Sequence, residues 1–182
     1  LNLHNAVNIT NKFLEAVAAD DEWRLIDPKT KTAVKIVSAR DLWFQIIQTR
    51  VETGEPYIVN IDTCNEALPE EQKKLGLEIK QSNLCSEITL PTNEDRTAVC
   101  CLSSVNLEYY DTWSVEDNFI SDLVTMLDNV LDSFISSVSG NKGYDKAAYS
   151  AMRERSIGLG AMGFHSYLQQ NNIAFESMWA SS

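Results

Sequence analysis

Segments in which apolar and polar residues alternate are followed along this chain by segments in which apolar residues recur at helical spacing. Residues 1–9 alternate, which predicts a strand, and Thr10 can cap a helix that follows. Residues 23–26 and 33–37 flank a turn around Pro28 and predict a hairpin. Strands that exchange with helices in this way are typical of an α/β fold.

A longer helix is predicted from Ser38 to Gly54. Ser38 and Asp41 have the spacing of a capping box, and Gly54 with the nearby Pro56 is a typical helix end. Its predicted inward positions are Leu42, Trp43, Ile46, Ile47 and Val51. Residues 57–61 then predict a buried strand, and residues 62–81 a polar loop.

Predicted strands and helices also follow one another in the C-terminal half. Residues 97–102 predict a strand that returns towards residue 85. A long helix is predicted from the capping-box sequence at 114–117 to Gly140, and a more polar one over 144–155. We expect one domain, or one contiguous part of a larger one.

Composition narrows the classes of function. The net charge of −11 argues against a general nucleic-acid surface. Since no run of eighteen apolar residues occurs, no membrane partner is expected. The four cysteines contain no C-x-x-C pair and only two histidines accompany them, so no metal site is predicted. Without a secretion signal, these cysteines indicate a reducing, cytoplasmic location.

The sequence Gly158-Leu159-Gly160-Ala161-Met162-Gly163 fits the dinucleotide-binding pattern G-x-G-x-x-G. That fingerprint needs a preceding buried strand and an acidic residue about 20 positions later, and neither is found here. We therefore interpret the glycines as permitting close strand–helix packing. His165, which follows them, is interpreted as a packing histidine.

Three side chains with complementary chemistry lie close together at Asn83, Cys85 and Glu87. In an extended chain they would point to the same face. An amide can orient a hydroxyl, a carboxylate can take its proton, and a thiol can act as nucleophile, redox group or hydrogen-atom donor. The alternative interpretation is that Cys85 is a small buried hydrophobic residue.

The longer context favours the site. Residues 81–88 read QSNLCSEI and residues 99–107 read VCCLSSVNL. Together they resemble the catalytic core of the large (α) subunit of ribonucleotide reductases, especially class I, whose pattern is S-N-L-C-x-E-I, a short insert, and C-x-L-[SA]-[SA]-x-N-L. The resemblance covers nearly all of this chain, and we expect residues 1–182 to be a partial catalytic barrel domain, incomplete at both ends.

This resemblance implies an α/β fold that is part of a ten-stranded α/β barrel, with the three side chains on a loop at its centre. It implies reduction of ribonucleotides, in class I as diphosphates, to deoxyribonucleotides. Cys85 would become a transient thiyl radical that abstracts the 3′-hydrogen, and Glu87 would take the 3′-hydroxyl proton. Ser82, Asn83 and Glu87 would bind the substrate.

The resemblance also assigns redox chemistry and partners. Cys100 corresponds to the family's redox-active cysteine, and the adjacent Cys101 is the fallback; its disulfide partner would precede residue 1. No cofactor is expected in this chain, because a metal-containing small (β) subunit would supply the radical. Thioredoxin or glutaredoxin would be the reductant and the α subunit a homodimer. We expect the 182 residues alone to be inactive.

Three alternatives stay open. The adenosylcobalamin-dependent reductases share N-x-C-x-E, usually with Pro and Gly where Leu84 and Ser86 stand here. The chain could also be a natural piece of a split reductase that works only with partner chains. The third alternative is a non-enzymatic, thiol-containing α/β binding module.

Overall fold

The structure is a computed structural model that describes residues 3–181 of the chain. These residues form two compact units, one ending at Asn93 and one beginning at Glu94. Each unit contains a pair of parallel strands and the helices between them. The predicted α/β class is confirmed. Within the described residues, no helix is long and apolar enough to cross a membrane.

The first unit is built on a parallel pair in which Ala6 lies beside Tyr57 and Ile9 beside Asn60. A separate antiparallel hairpin, with Trp23 beside Val37, lies in the connection between these strands. Its elements are β1 (Ala6–Ile9), α1 (Asn11–Ala19), β2 (Glu22–Ile26), β3 (Ala33–Ser38), α2 (Ala39–Thr53), β4 (Tyr57–Asn60), α3 (Ile61–Glu66) and α4 (Glu70–Lys74).

The helix boundaries predicted for α1 and α2 are confirmed. The Thr10 hydroxyl accepts a hydrogen bond from the Phe13 N–H, and the Ser38 hydroxyl accepts one from the Asp41 N–H. Gly54 ends α2 in the left-handed conformation, at φ 80°. The predicted inward position of Val51 was wrong, because this side chain is 80% exposed.

The predicted polar loop at 62–81 was wrong in its first half, which forms α3 and α4. These helices bury a small apolar cluster of Val59, Ile61, Leu68 and Ile79, against which Cys64 packs. Helices of five and six residues are too short to produce a periodic pattern, so the sequence did not reveal them. From residue 77 to residue 99 the chain has no helix or strand.

The second unit is built on a parallel pair in which Cys100 lies beside Ser156 and Asn106 beside Met162. The long helix between the strands contacts both of them and buries Leu127 and Leu131. Its elements are β5 (Cys100–Asn106), a 3-10 turn (Leu107–Tyr109), α5 (Tyr110–Trp113), α6 (Phe119–Val138), α7 (Asp145–Glu154), β6 (Ser156–Met162), α8 (Phe164–Gln170) and α9 (Met178–Ser181).

Two predicted boundaries in this unit were wrong. The strand predicted over 97–102 begins at Cys100 and continues to Asn106, paired with β6. The long helix begins at Phe119, whereas Ser114 lies at the end of α5. The Trp113 ring stacks on Phe119, and its indole N–H donates to the Asn106 carbonyl, which fixes a turn where the capping pattern predicted a helix.

The glycines of the G-x-G-x-x-G sequence have a structural role, but they permit close packing against a strand and not, as predicted, between a strand and a helix. Gly158 and Gly160 lie in β6, and a Cβ atom on Gly158 would come within 2.5 Å of Leu102 Cδ2. Gly163 begins α8 with φ 75°. His165 is exposed, so the prediction of a packing histidine was wrong.

Candidate active site

The loop that carries Cys85 is a tight turn. The Ser86 N–H donates to the Asn83 carbonyl over 3.1 Å, and Ser86 has a positive φ of 65°. The turn replaces the extended conformation from which we predicted that Asn83, Cys85 and Glu87 share one face. That alternation does not apply where the backbone turns.

Side chains close this loop at its base. The Asn83 amide oxygen accepts the Ile88 N–H over 3.0 Å, and the Ser82 hydroxyl lies 2.6 Å from the Ile88 carbonyl and donates to it. The same hydroxyl is 3.2 Å from the Asn83 amide oxygen. Because both backbone groups of Ile88 are engaged, the loop between residues 83 and 88 has a defined shape.

The reactive side chains project from this loop. Cys85 and Glu87 are both exposed, whereas Asn83 is half-buried. Leu84, next to Cys85, is exposed as well. The alternative of a buried packing cysteine therefore does not fit Cys85. Cys64, which packs on the core of the first unit, has that role instead.

The adjacent cysteines of the second unit lie on opposite faces of β5. Cys101 shares its face with Val105, which is only 8% exposed, and Cys100 shares its face with Leu102, which is 54% exposed. Cys100 therefore lies on the more exposed face of β5, although both cysteines are themselves half-buried.

A buried ion pair holds the segment that leads into β5. Arg96 Nε donates to Glu154 Oε1 over 3.0 Å, and these side chains are 12% and 7% exposed. The Ser150 hydroxyl donates to the other Glu154 oxygen, and the Arg96 guanidinium lies 4.9 Å from the centre of the Tyr149 ring. The entry to Cys100 is thus fixed on α7.

The arrangement provides thiol and carboxylate chemistry. Within residues 3–181, no three His, Cys, Asp or Glu side chains cluster in a way that could hold a metal ion. An exposed thiol and an exposed carboxylate two residues apart can together exchange a hydrogen atom and a proton with a small ligand.

Sequence reasoning missed the role of Asn65 in supporting this loop. Asn65 binds the backbone of Ile79, in the segment that leads to Cys85. The nearby Asp62 carboxylate accepts the Asn11 N–H and supports the start of α1 instead. An Asx side chain next to a buried position was the available signal for Asn65.

Comparison with known proteins identifies the family. The family model of the ribonucleotide reductase barrel domain matches residues 1–182. The ribonucleoside-diphosphate reductase large subunit of Invertebrate iridescent virus 3 is 54% identical over 158 residues, covering 87% of this chain and 25% of the relative. A Frog virus 3 protein assigned as such a large subunit is 52% identical over 178 residues, covering 97% of this chain and 31% of the relative.

A solved structure agrees with these sequence matches. The class Id ribonucleotide reductase α subunit of Actinobacillus ureae superposes with a TM-score of 0.80 at 37% identity, covering 97% of this chain and 31% of that chain. The α/β fold and the loop that carries Cys85 place this chain in the class of catalytic barrel domains. It belongs to the ribonucleotide reductase family and spans about a third or less of the relatives that it matches.

Proposed function

We propose that this chain carries the reducing centre of a ribonucleoside-diphosphate reductase, which converts ribonucleotides to deoxyribonucleotides by thiyl-radical chemistry. The observation that carries this proposal is the exposed Cys85 thiol on a clamped loop, two residues from the exposed Glu87 carboxylate. Family membership supports it, since the relatives named above are ribonucleoside-diphosphate reductases.

Cys85 is the hydrogen-atom carrier in this proposal. Its S–H bond loses a hydrogen atom to the radical source, and the resulting thiyl radical takes the 3′-hydrogen of the ribose and later returns one. Glu87 accepts the 3′-hydroxyl proton while the 2′-hydroxyl takes a proton from one of the two redox-active thiols and leaves as water. The Asn83 amide oxygen already accepts the Ile88 N–H, so its NH₂ group is the part available to hold a substrate oxygen.

Cys100 supplies reducing equivalents in this proposal. The reaction consumes two electrons, which come from Cys100 and a second cysteine as their two thiols form a disulfide. Cys100 lies on the more exposed face of β5, opposite the buried Val105, and helices of an α/β barrel cover the outer face of the strands. Cys100 therefore corresponds to an interior position, which supports it over Cys101.

The class I assignment extends to partners. We propose a metal-containing small (β) subunit as the radical source, thioredoxin or glutaredoxin as reductant, a homodimeric large subunit and a cytoplasmic location. Leu84 and Ser86 support this class, as does the likeness to a class Id α subunit. Adenosylcobalamin as the radical source stays the alternative.

Turnover by a full-length large subunit that contains this sequence tests the function. With a class I small subunit and a dithiol reductant, we expect a deoxyribonucleoside diphosphate as product, without added adenosylcobalamin. Product that forms only with adenosylcobalamin would favour the cobalamin-dependent class. No product with either source would favour the non-enzymatic binding module.

The choice between the adjacent cysteines is tested in the same assay. Cys100→Ser is expected to stop multiple turnover, because no disulfide can form there, while Cys101→Ser retains it. The reverse result would transfer the redox role to Cys101. The matched pair controls for the loss of a thiol at this end of β5.

A further inference from the structure

The segment that leads to Cys85 has no strand partner. Residues 77–83 form no helix or strand, so their backbone groups lack the hydrogen bonds of a sheet. Side chains bind this backbone instead. Asn8 of β1 donates from its amide to the Lys80 carbonyl over 2.7 Å.

Asn65 makes the most complete of these contacts. Its amide oxygen accepts the Ile79 N–H over 2.8 Å, and its NH₂ group donates to the Ile79 and Ile61 carbonyls, each over 3.0 Å. The amide thus acts on Ile79 as a neighbouring strand would. Ile79 is only 1% exposed, so this end of the segment is anchored in the core of the first unit.

Ser82 connects the residues before Cys85 to Ile88, which follows it. It donates to the Ile88 carbonyl while Asn83 accepts the Ile88 N–H. The Cys85 turn is therefore anchored to the core through Asn65 and closed on itself through Ser82. A hydrogen-atom transfer depends steeply on the position of the reacting atom, so a fixed loop serves this chemistry.

We propose that Asn65 and Ser82 are positioning residues for Cys85. This inference rests on the proposed function, and it assigns Ser82 a role in loop closure in place of the substrate contact predicted from the resemblance. Neither side chain needs to touch the substrate. The amide of residue 86, which donates within the Cys85 turn, reports directly on the position of that turn.

Backbone amide exchange in a full-length large subunit that contains this sequence is the first test. Loss of one well-formed hydrogen bond typically changes the equilibrium constant for local opening, and with it the exchange rate of the protected amide, by about tenfold. Ser82→Ala is therefore expected to accelerate exchange of the amides at 86 and 88 about tenfold, and Ser82→Thr to restore the slow rates. Asn65→Ala, which removes the acceptor of the Ile79 N–H together with both donated bonds, is expected to accelerate exchange at 79 and at 86.

Ser86→Ala is the matched control, because the Ser86 hydroxyl is buried without a hydrogen-bond partner. It removes a hydroxyl from the same loop and is expected to leave exchange at residue 88 unchanged. Equal exchange in Ser82→Ala and wild type would overturn the role of Ser82. Acceleration by Asn65→Ala at 79 but not at 86 would overturn the role of Asn65.

Kinetics of the full-length large subunit distinguish positioning from substrate binding. Ser82→Ala is expected to lower kcat about tenfold with KM unchanged within about twofold, and Ser82→Thr to recover most of kcat. A raised KM with unchanged kcat would mean that Ser82 binds substrate and would overturn the proposal. An inactive wild-type enzyme would contradict the proposed function. The exchange rates would still decide whether Asn65 and Ser82 hold the Cys85 turn in place.

Discussion

Ser86 adopts a backbone conformation that residues other than glycine rarely take. Its φ of 65° lies in the left-handed region, next to the residue that we propose as the radical carrier. The position therefore constrains the residue by its backbone shape.

Substitution at Ser86 tests this constraint. Ser86→Gly is expected to change the free energy of unfolding of the 182-residue chain by less than about 1 kcal/mol, because relief of strain offsets the added freedom of the unfolded chain. Ser86→Val is expected to destabilise the chain by about 1–2 kcal/mol. Urea unfolding measures both. Equal stability of the two variants would contradict the positive φ.

The assignment of Cys85 and Glu87 as reactive residues stays a prediction, whereas their arrangement differs from the one that the sequence predicted. The motif at 81–88 singled out Cys85 and Glu87, and both project from the loop. The common face predicted for them assumed an extended chain, whereas the turn depends on side-chain bonds from Ser82 and Asn83 to Ile88. Such bonds leave no periodic signal in a sequence.

Among the elements, those with a clear period or cap were predicted well. The hairpin and the start of α2 follow directly from alternation and from the Ser38 cap. The short helices α3 and α4 escaped prediction because they are no longer than one or two turns. The start of α6 depends on the packing of Trp113 against Phe119, which local sequence rules do not include.

The Arg96–Glu154 pair is expected to fix the entry to β5. Arg96→Met leaves a nearly buried carboxylate without its partner, and we expect a loss of about 3–5 kcal/mol in the free energy of unfolding. The double variant Arg96→Met/Glu154→Gln is expected to recover most of this loss. Urea unfolding of the 182-residue chain measures the three proteins.

The exposed pair Lys73–Glu70 is the matched control for this experiment. Removing it with Lys73→Met is expected to cost less than about 1 kcal/mol, since both side chains are in contact with solvent. A cost for Arg96→Met as small as that for Lys73→Met would contradict a fixing role for the buried pair.

Glu55 gives the first unit a pH dependence. The Asn5 N–H donates to this carboxylate, and with the neighbouring His4 it lowers the pKa of Glu55. A lowered pKa stabilises the folded chain above the ordinary glutamate pKa of about 4.3, and this contribution disappears as the pH falls through the folded value. The hydrogen bond between Asn5 and Glu55 joins the start of β1 to the residues before β4.

The comparison of wild type with Glu55→Gln measures this contribution. We expect wild type to be the more stable protein at pH 6.5, with the difference shrinking towards pH 3, because the protonated carboxyl resembles the amide. Urea unfolding at the two pH values provides the measurement. A difference that is the same at both values would mean that the charge of Glu55 does not stabilise the fold.

For the molecule as a whole, the exposed apolar surface points to missing neighbours. Large apolar side chains on the hairpin and on α6 remain exposed, among them Ile26, Val34, Ile36, Ile120, Val124 and Val130. Each parallel pair also has two open edges within the described residues. Relatives three or more times longer have the additional chain that could cover these surfaces.

The 182 residues alone are expected to be inactive. The chain spans about a third or less of the relatives that it matches, and the strands of its described residues form open two-stranded sheets that cannot enclose a radical. Incubation of the isolated chain with a ribonucleoside diphosphate, a small subunit and a dithiol should give no deoxyribonucleotide. Sustained turnover by the isolated chain would contradict this expectation.

Cys85 carries the reaction in the proposed function, and its replacement is the decisive test. Ribonucleoside diphosphate reduction is measured with a full-length large subunit that contains this sequence, in wild type, Cys85→Ser and the packing-cysteine control Cys64→Ala. We expect activity in wild type and Cys64→Ala, and loss of more than about a thousandfold in Cys85→Ser, because a serine hydroxyl cannot exchange a hydrogen atom as a thiol does. Retention of substantial activity by Cys85→Ser would contradict the account.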